Sequence, residues 1–221
     1  DIDNASEDIQ QMVEDPFQNV NSEEIKRELR FRIYKLIKHH VHEKHDNHEC
    51  RSDVVRTIKT LCNMCSDNAD EKVCLGENSS VFIGNHKYLE FLYKMSKIPL
   101  IGKFILRNLA NKIFYEYQFL NVLINVAREI AHDIADILMN ADYKGEVEEI
   151  KEEILFDVEH LLVLEDSLIV QFSSLIGYIR TKLAAYNLIQ FQKKQVEEFE
   201  HLGMLDLNEK ENWMAKLDKR I

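Results

Sequence analysis

Proline and glycine are scarce in this chain, two and six among 221 residues. Both residues punctuate turns, so their shortage leaves little turn chemistry for a β-sandwich and rules out a low-complexity linker. Four cysteines, Cys50, Cys62, Cys65 and Cys74, are too few for a disulfide framework at this length, and a reducing compartment is expected. Long apolar runs are missing as well. The longest uncharged stretch lies between Asp166 and Arg180, short of the ~20 residues that cross a bilayer as a helix. Basic residues are outnumbered, 28 against 39 acidic ones, for a formal net charge of −11. Such a balance argues against a nucleic-acid partner, because phosphate affinity comes from excess Lys and Arg. No glycine-rich phosphate loop, G-x-S-x-G, H-E-x-x-H or Ser/His/Asp arrangement occurs. Neither an enzyme nor a cofactor is expected.

What is present favours helix. Hydrophobic residues make up 45% of the chain and charged residues 30%, with Lys, Glu, Leu and Ile abundant. Residues 1–21 are acidic and unpatterned, with Asp15-Pro16 as a breaker, and read as an arm or linker. Residues 22–221 read as an all-α domain, with 22–84 and 85–221 as candidate subdomains. Ser22 stands as an N-cap before Glu23 and Glu24, and Ile25, Leu29, Ile33 and Val41 mark one stripe to about Lys44. Ser52 and Asp53 open a second helix with Ile58, Leu61 and Cys65 inward. Residues 66–84 read as a loop, and a short helix around Tyr88–Met95 is stopped by Pro99. From Leu100 to Asn140 apolar residues occupy more than one face, which predicts a long central helix surrounded by neighbours. Glu146–Glu165 predicts a helix with Ile150, Ile154, Val158 and Leu161 inside and a break near Asp166-Ser167. From Ile179 to Leu202 the apolar spacing predicts one buried face, ended by Gly203. Asp206 and Glu209 stand at N-cap and N3 of a last helix. The expected architecture is an irregular multi-helix bundle with a C-terminal helix–Gly–helix elbow.

Three groups of polar residues invite chemistry. His39, His40, His42, His45, His48 and Cys50 precede Cys62-x-x-Cys65, and imidazole and thiolate are zinc ligands. Yet the spacing fits no finger, so His45, His48, Cys62 and Cys65 are metal candidates only, with solvent-facing histidines and core cysteines the simpler assignment. Lys97, Lys103 and Arg107 border an apolar stretch from Ile98 to Leu106 and are candidates to face an inner-leaflet lipid surface; the simpler assignment is a core helix with a basic edge. Asp133, Asp136, Glu146, Glu148, Glu149, Glu152 and Glu153 read mostly as a solvated outer face.

One resemblance adds to these readings. Arg180-Thr181-Lys182, then Ala185-Tyr186-Asn187, then Leu202-Gly203-Met204-Leu205-Asp206-Leu207-Asn208-Glu209 resembles the cytosolic helical region of the salt-overly-sensitive sodium/proton antiporters and the sperm-specific sodium/proton exchangers. Arg180 stands where that family has Lys, and Leu183 where it has Gln. Glu28–His39, Lys87–Phe91, Arg128–Ala131 and Gly145–Glu149 are similar to further stretches of the family in order and spacing, so the resemblance runs from about residue 24 to 221. It implies a regulatory and dimerisation scaffold at the cytosolic face of a membrane, linking an ion-exchanging transport domain to downstream regulatory domains. The coupling residues would be Arg180, Thr181, Lys182, Gly203, Asp206 and Glu209, and the expected partners are the membrane transport domain and a second copy. The chain opens on Asp1 and reads as a segment of a longer protein. The alternative is a stand-alone helical subunit of a membrane-associated complex.

Overall fold

The computed structural model describes residues 21–47, 49–69, 72–84, 86–98, 102–137 and 143–219. The acidic arm expected at 1–21 lies outside them apart from Asn21. Helix α1, Ser22–Asp46, starts one residue earlier than its serine suggests, because the Asn21 side chain accepts from the Glu23 amide and is the N-cap. Ser22 is thereby released to donate to Glu146 across the molecule, at 3.0 Å. After a short connection, α2, Ser52–Asp67, packs against α1, and their shared core holds Ile33, Ile37, Val54, Ile58 and Leu61.

The segment expected as a loop contains a short helix, α3, Leu75–Ser79. Five residues are too few to show a period, and the cap of this helix comes from elsewhere in the chain. Both carboxylate oxygens of Asp157 accept from the Gly76 amide, at 3.0 and 3.1 Å. A Cβ on Gly76 would stand 2.8 Å from His160 Cβ, so the glycine permits the close approach.

Helix α4 is His86–Met95 and α5 is Gly102–Ile137, 36 residues long. Residues Glu116 to Leu120 of α5 are buried without interruption, so every face of that turn meets protein. Its neighbours include α1, α2, α4 and two further helices: α6, Lys144–Gln171, and α7, Ser173–His201. The chain ends its helical course with α8, Leu207–Asp218. Eight helices and no strands occur among the described residues, an all-α multi-helix fold. One hydrophobic core runs continuously across position 84.

The break between α6 and α7 falls at Phe172, not at the polar Asp166-Ser167 pair, and turns the chain by 110°. Asp166 and Ser167 are exposed and simply continue the helix. Phe172 is 1% exposed, packs edge-on to Tyr93, and its carbonyl accepts from Leu175 and Ile176 to start α7. Burial of one aromatic ring sets the corner.

The acidic side of α6 also differs from expectation. Glu146, Glu149 and Glu153 do not face open solvent alone: they meet Ser22, Lys26 and Arg30 of α1 in successive steps. Arg30 is 2% exposed and donates to Glu153 through Nε at 2.9 Å and Nη2 at 2.6 Å, a bidentate pair. Glu153 also accepts from the Val73 amide, and Arg30 donates to the Ala69 carbonyl. One turn on, burial pushes the Asp157 carboxyl up to about 6, against the opposing pull of the Gly76 and Leu75 amides.

Two outcomes follow from this seam. Glu153→Ala leaves a buried guanidinium without its carboxylate and is expected to cost about 3 kcal/mol, read as a lower urea midpoint at unchanged slope. A loss within experimental error would show that the pair does not hold α1 to α6. Because the folded carboxyl of Asp157 binds its proton more tightly than the ordinary value of 3.8, its ionisation costs stability above about pH 6. That cost is relieved as pH falls through 6 toward 4. A carboxyl 13C titration by NMR should give a midpoint near 6, and a midpoint at or below the ordinary value would contradict the burial argument.

Candidate functional site

The six residues singled out around the elbow are divided by the structure between two places. Arg180, Thr181 and Lys182 lie in the first half of α7, where it crosses α5. Arg180 donates through Nε to the Tyr117 hydroxyl at 3.1 Å and lies over that ring. Lys182 Nζ lies 5.5 Å from the centre of the Phe114 ring, and Thr181 donates to the Gly177 carbonyl of its own helix. Gly203, Asp206 and Glu209 are some twenty residues further along, about 30 Å at helical rise.

At that far end the corner is built from local rules. The Gly203 amide donates to the Glu200 carbonyl and the Met204 amide to Phe199, the two crossed bonds that close a helix on a left-handed residue. Gly203 has φ of +71°, a conformation that L side chains rarely adopt. Asp206 accepts from the Glu209 amide at 2.8 Å while Glu209 accepts from the Asp206 amide at 3.0 Å, a reciprocal cap that launches α8. Lys210 to Glu200 and Lys193 to Asp218 then tie α8 back to α7.

Helix α7 is not buried along a single face as its spacing suggests. Ile179 and Ile189 are buried and Leu183, Tyr186 and Val196 half-buried, whereas Leu188, Phe191, Phe199 and Leu202 are 43–69% exposed. At 100° per residue those four exposed side chains fall within an arc of about 80°, roughly opposite Ile179, Leu183 and Tyr186. The helix therefore carries two apolar stripes. One packs on the core, and the other faces outward and continues at the corner in Met204, Leu207 and Trp213, all at least 49% exposed. A 3.6-residue period cannot separate them, because both contribute apolar residues to the same count.

The candidate metal ligands are dispersed. His48 lies outside the described residues. Cys62 and Cys65 are fully buried on the inner face of α2, with Cys65 donating to the Cys74 carbonyl. Burial pushes the Cys62 thiol up to about 12 and the Cys50 thiol to about 11, so neither presents a thiolate at neutral pH. His45 meets the Ser52 hydroxyl at 2.9 Å and Asp46 at the end of α1. Among the described residues, the ligand atoms that approach within 4.8 Å of one another belong to His42, His45 and Asp46, a surface trio without a cysteine.

The third set gathers into a feature. Lys97, Lys103 and Arg107 line a groove of about 830 Å3 between the end of α4, the start of α5 and the start of α7, and Lys182 joins them there from a distant part of the sequence. No spacing rule could have placed Lys182 beside Lys103, because only the packing of α7 on α5 does so.

Among the described residues no single helix is long and apolar enough to cross a membrane; α6 and α7 pass that test only as a pair bent by 110°. The chain matches no protein-family model and no curated protein.

The corner yields a direct test. Nothing lies within 4 Å of a Cβ built on Gly203, so a substitution there meets backbone strain and no clash. Gly203→Val should cost about 1–2 kcal/mol locally and speed amide hydrogen exchange across Leu207–Asp218, while Gly203→Asn, which tolerates the left-handed region, should change exchange little. Equal exchange in both variants and the parent would show that the left-handed cap does not hold α8.

Proposed function

We propose that this chain is a helical coupling and dimerisation scaffold, of the kind found beside the transport domain of a sodium/proton-exchanger-like membrane protein, at the cytosolic face of the membrane. The observation that carries the reading is the outward stripe of α7, Leu188, Phe191, Phe199 and Leu202, continued around the Gly203 corner. Exposed contiguous apolar surface on a helix costs solubility and marks an interaction face.

A second copy suits this face. Lys194 and Glu198 border the stripe with opposite charges, so a twofold axis near Gln195 sets each lysine of one copy against the glutamate of the other, the self-complementary pattern of an isologous dimer. Helix α8 packs chiefly on α7, so movement of that face would be passed along the corner to whatever follows. The placement beside an exchanger domain is supported by the resemblance of Arg180–Lys182 and Leu202–Glu209 to the exchangers' cytosolic region. The scaffold role itself is supported by the outward stripe, independently of that resemblance.

Light scattering on the chain at micromolar concentration should report twice the monomer mass. The double variant Phe191→Glu, Leu202→Glu, which changes two exposed side chains, should be a folded monomer by the same measurement and by circular dichroism. A monomeric parent, or a variant that still dimerises, would remove this face as the interface.

A further inference from the structure

The groove between α4, α5 and α7 departs from the charge of the rest of the molecule. In a chain of net charge −11, its wall holds four cations, Lys97, Lys103, Arg107 and Lys182, and no carboxylate. All four are exposed, and none forms an ion pair among the described residues, although at least ten other Lys and Arg side chains do. A neighbouring groove shares Tyr93 and Lys97 and contains Glu90 and Asp166; Glu90 is already paired with Lys94.

Beneath this rim the floor is apolar. Phe114, Leu175 and Ile179 are buried, and Ala110 is half-buried beside them. Two of the cations lie against aromatic rings, Lys182 5.5 Å from the centre of Phe114 and Lys97 5.6 Å from that of Tyr93, which holds their long stems across the floor. The first turns of two helices also line the wall, through Lys103 of α5 and Ser174 of α7. A helix N-terminus carries partial positive charge, so both add to the field of the four side chains. Ser174 is held in place by a 3.1 Å hydrogen bond with the Tyr93 hydroxyl.

We propose that this groove binds an anionic amphiphile, a lipid whose phosphate headgroup meets the cationic rim and whose acyl chain lies on the Phe114–Leu175–Ile179 floor. Charge selects the headgroup, since four unpaired cations in close proximity repel one another until an anion neutralises them. Size and lining select the chain: about 830 Å3 is far more than an inorganic anion fills and lies within the range that holds a drug-sized, mainly apolar ligand. The site draws on residues more than eighty positions apart, Lys97 and Lys182, so it exists only in the folded domain.

The test is isothermal titration calorimetry of the 221-residue protein with dodecyl phosphate below its micelle concentration, with inorganic phosphate, and with dodecyl maltoside, which carries the same chain without charge. Saturable one-to-one binding of dodecyl phosphate is expected, at least about tenfold tighter than either other probe, the scale of one charge-assisted contact. The double variant Lys103→Gln, Arg107→Gln should weaken dodecyl phosphate by at least about tenfold. Ala110→Phe, which fills the floor and leaves all four cations, should weaken it while leaving the response to inorganic phosphate unchanged. Circular dichroism shows that each variant is folded before its titration is read. The proposal is overturned if dodecyl phosphate does not saturate, if inorganic phosphate binds as tightly and so reveals a plain anion site, if dodecyl maltoside binds as tightly and so reveals a plain apolar cleft, or if both folded variants bind like the parent.

Discussion

The arrangement of the first half of this protein depends on one line of carboxylates down α6: Glu146, Glu149, Glu153 and Asp157, spaced three and four residues apart and therefore on one face. Each has a partner from a different part of the chain, respectively Ser22, Lys26, Arg30 and the Gly76 amide. The exposed end of the line contributes little, since ion pairs in water are weak. The inner end cannot slip. Arg30 is buried, and a buried guanidinium tolerates one register only, the one that places Glu153 against both its Nε and its Nη2. That register fixes α1 along α6, brings the Val73 amide onto the same carboxylate, and leaves Asp157 opposite Gly76 to nucleate α3.

The second half is governed by shape more than by charge. Helix α5 is buried on all sides at Glu116–Leu120, and α7 is one of the helices packed against it. Phe172 turns the chain by 110° into that course. Arg180 and Lys182 then rest on Tyr117 and Phe114 of α5, and the same crossing that seats them leaves the groove open beside them. Beyond the crossing α7 leaves the core, which is why its outer stripe and the α8 corner are bare. The bare apolar corner thus lies at one end of α7 and the cationic groove at the other.

Much of the helix pattern was legible because its signals are local. The N-terminal acids of α1, the reciprocal Asp206–Glu209 cap and the left-handed Gly203 each depend on residues within one turn, and the apolar periods that mark the long helices are set by helical geometry alone. The departures have non-local causes. The helix over Leu75–Ser79 needs a cap from α6; the corner at Phe172 needs a pocket for its ring; and Ser22 yields its capping role to Asn21, because the asparagine reaches the Glu23 amide. Of the candidate sites, Lys97, Lys103 and Arg107 could be recognised as a basic edge, but Lys182 could not be joined to them, and of the histidines and cysteines that share a stretch of sequence, His39 and His42 are exposed on α1 whereas Cys62 and Cys65 are buried on α2.

By itself, then, the sequence determined the class of structure: helices nearly everywhere, their approximate extents, and a glycine corner near the C-terminus, since propensity, period and capping act over a few residues. Periodicity already marked the inner residues of α2 and α6, among them Ile58, Leu61, Ile150 and Ile154; tertiary structure decided how the acidic side of α6 and the apolar positions of α7 are shared between inside and outside. Part of the acidic side of α6 is a seam because Lys26 and Arg30 of α1 reach it, and part of the apolar face of α7 stays exposed because no neighbour among the described residues covers it. A side chain's polarity states a preference for its surroundings, but only the packed neighbours determine whether that preference is met by water, by an opposite charge or by another chain.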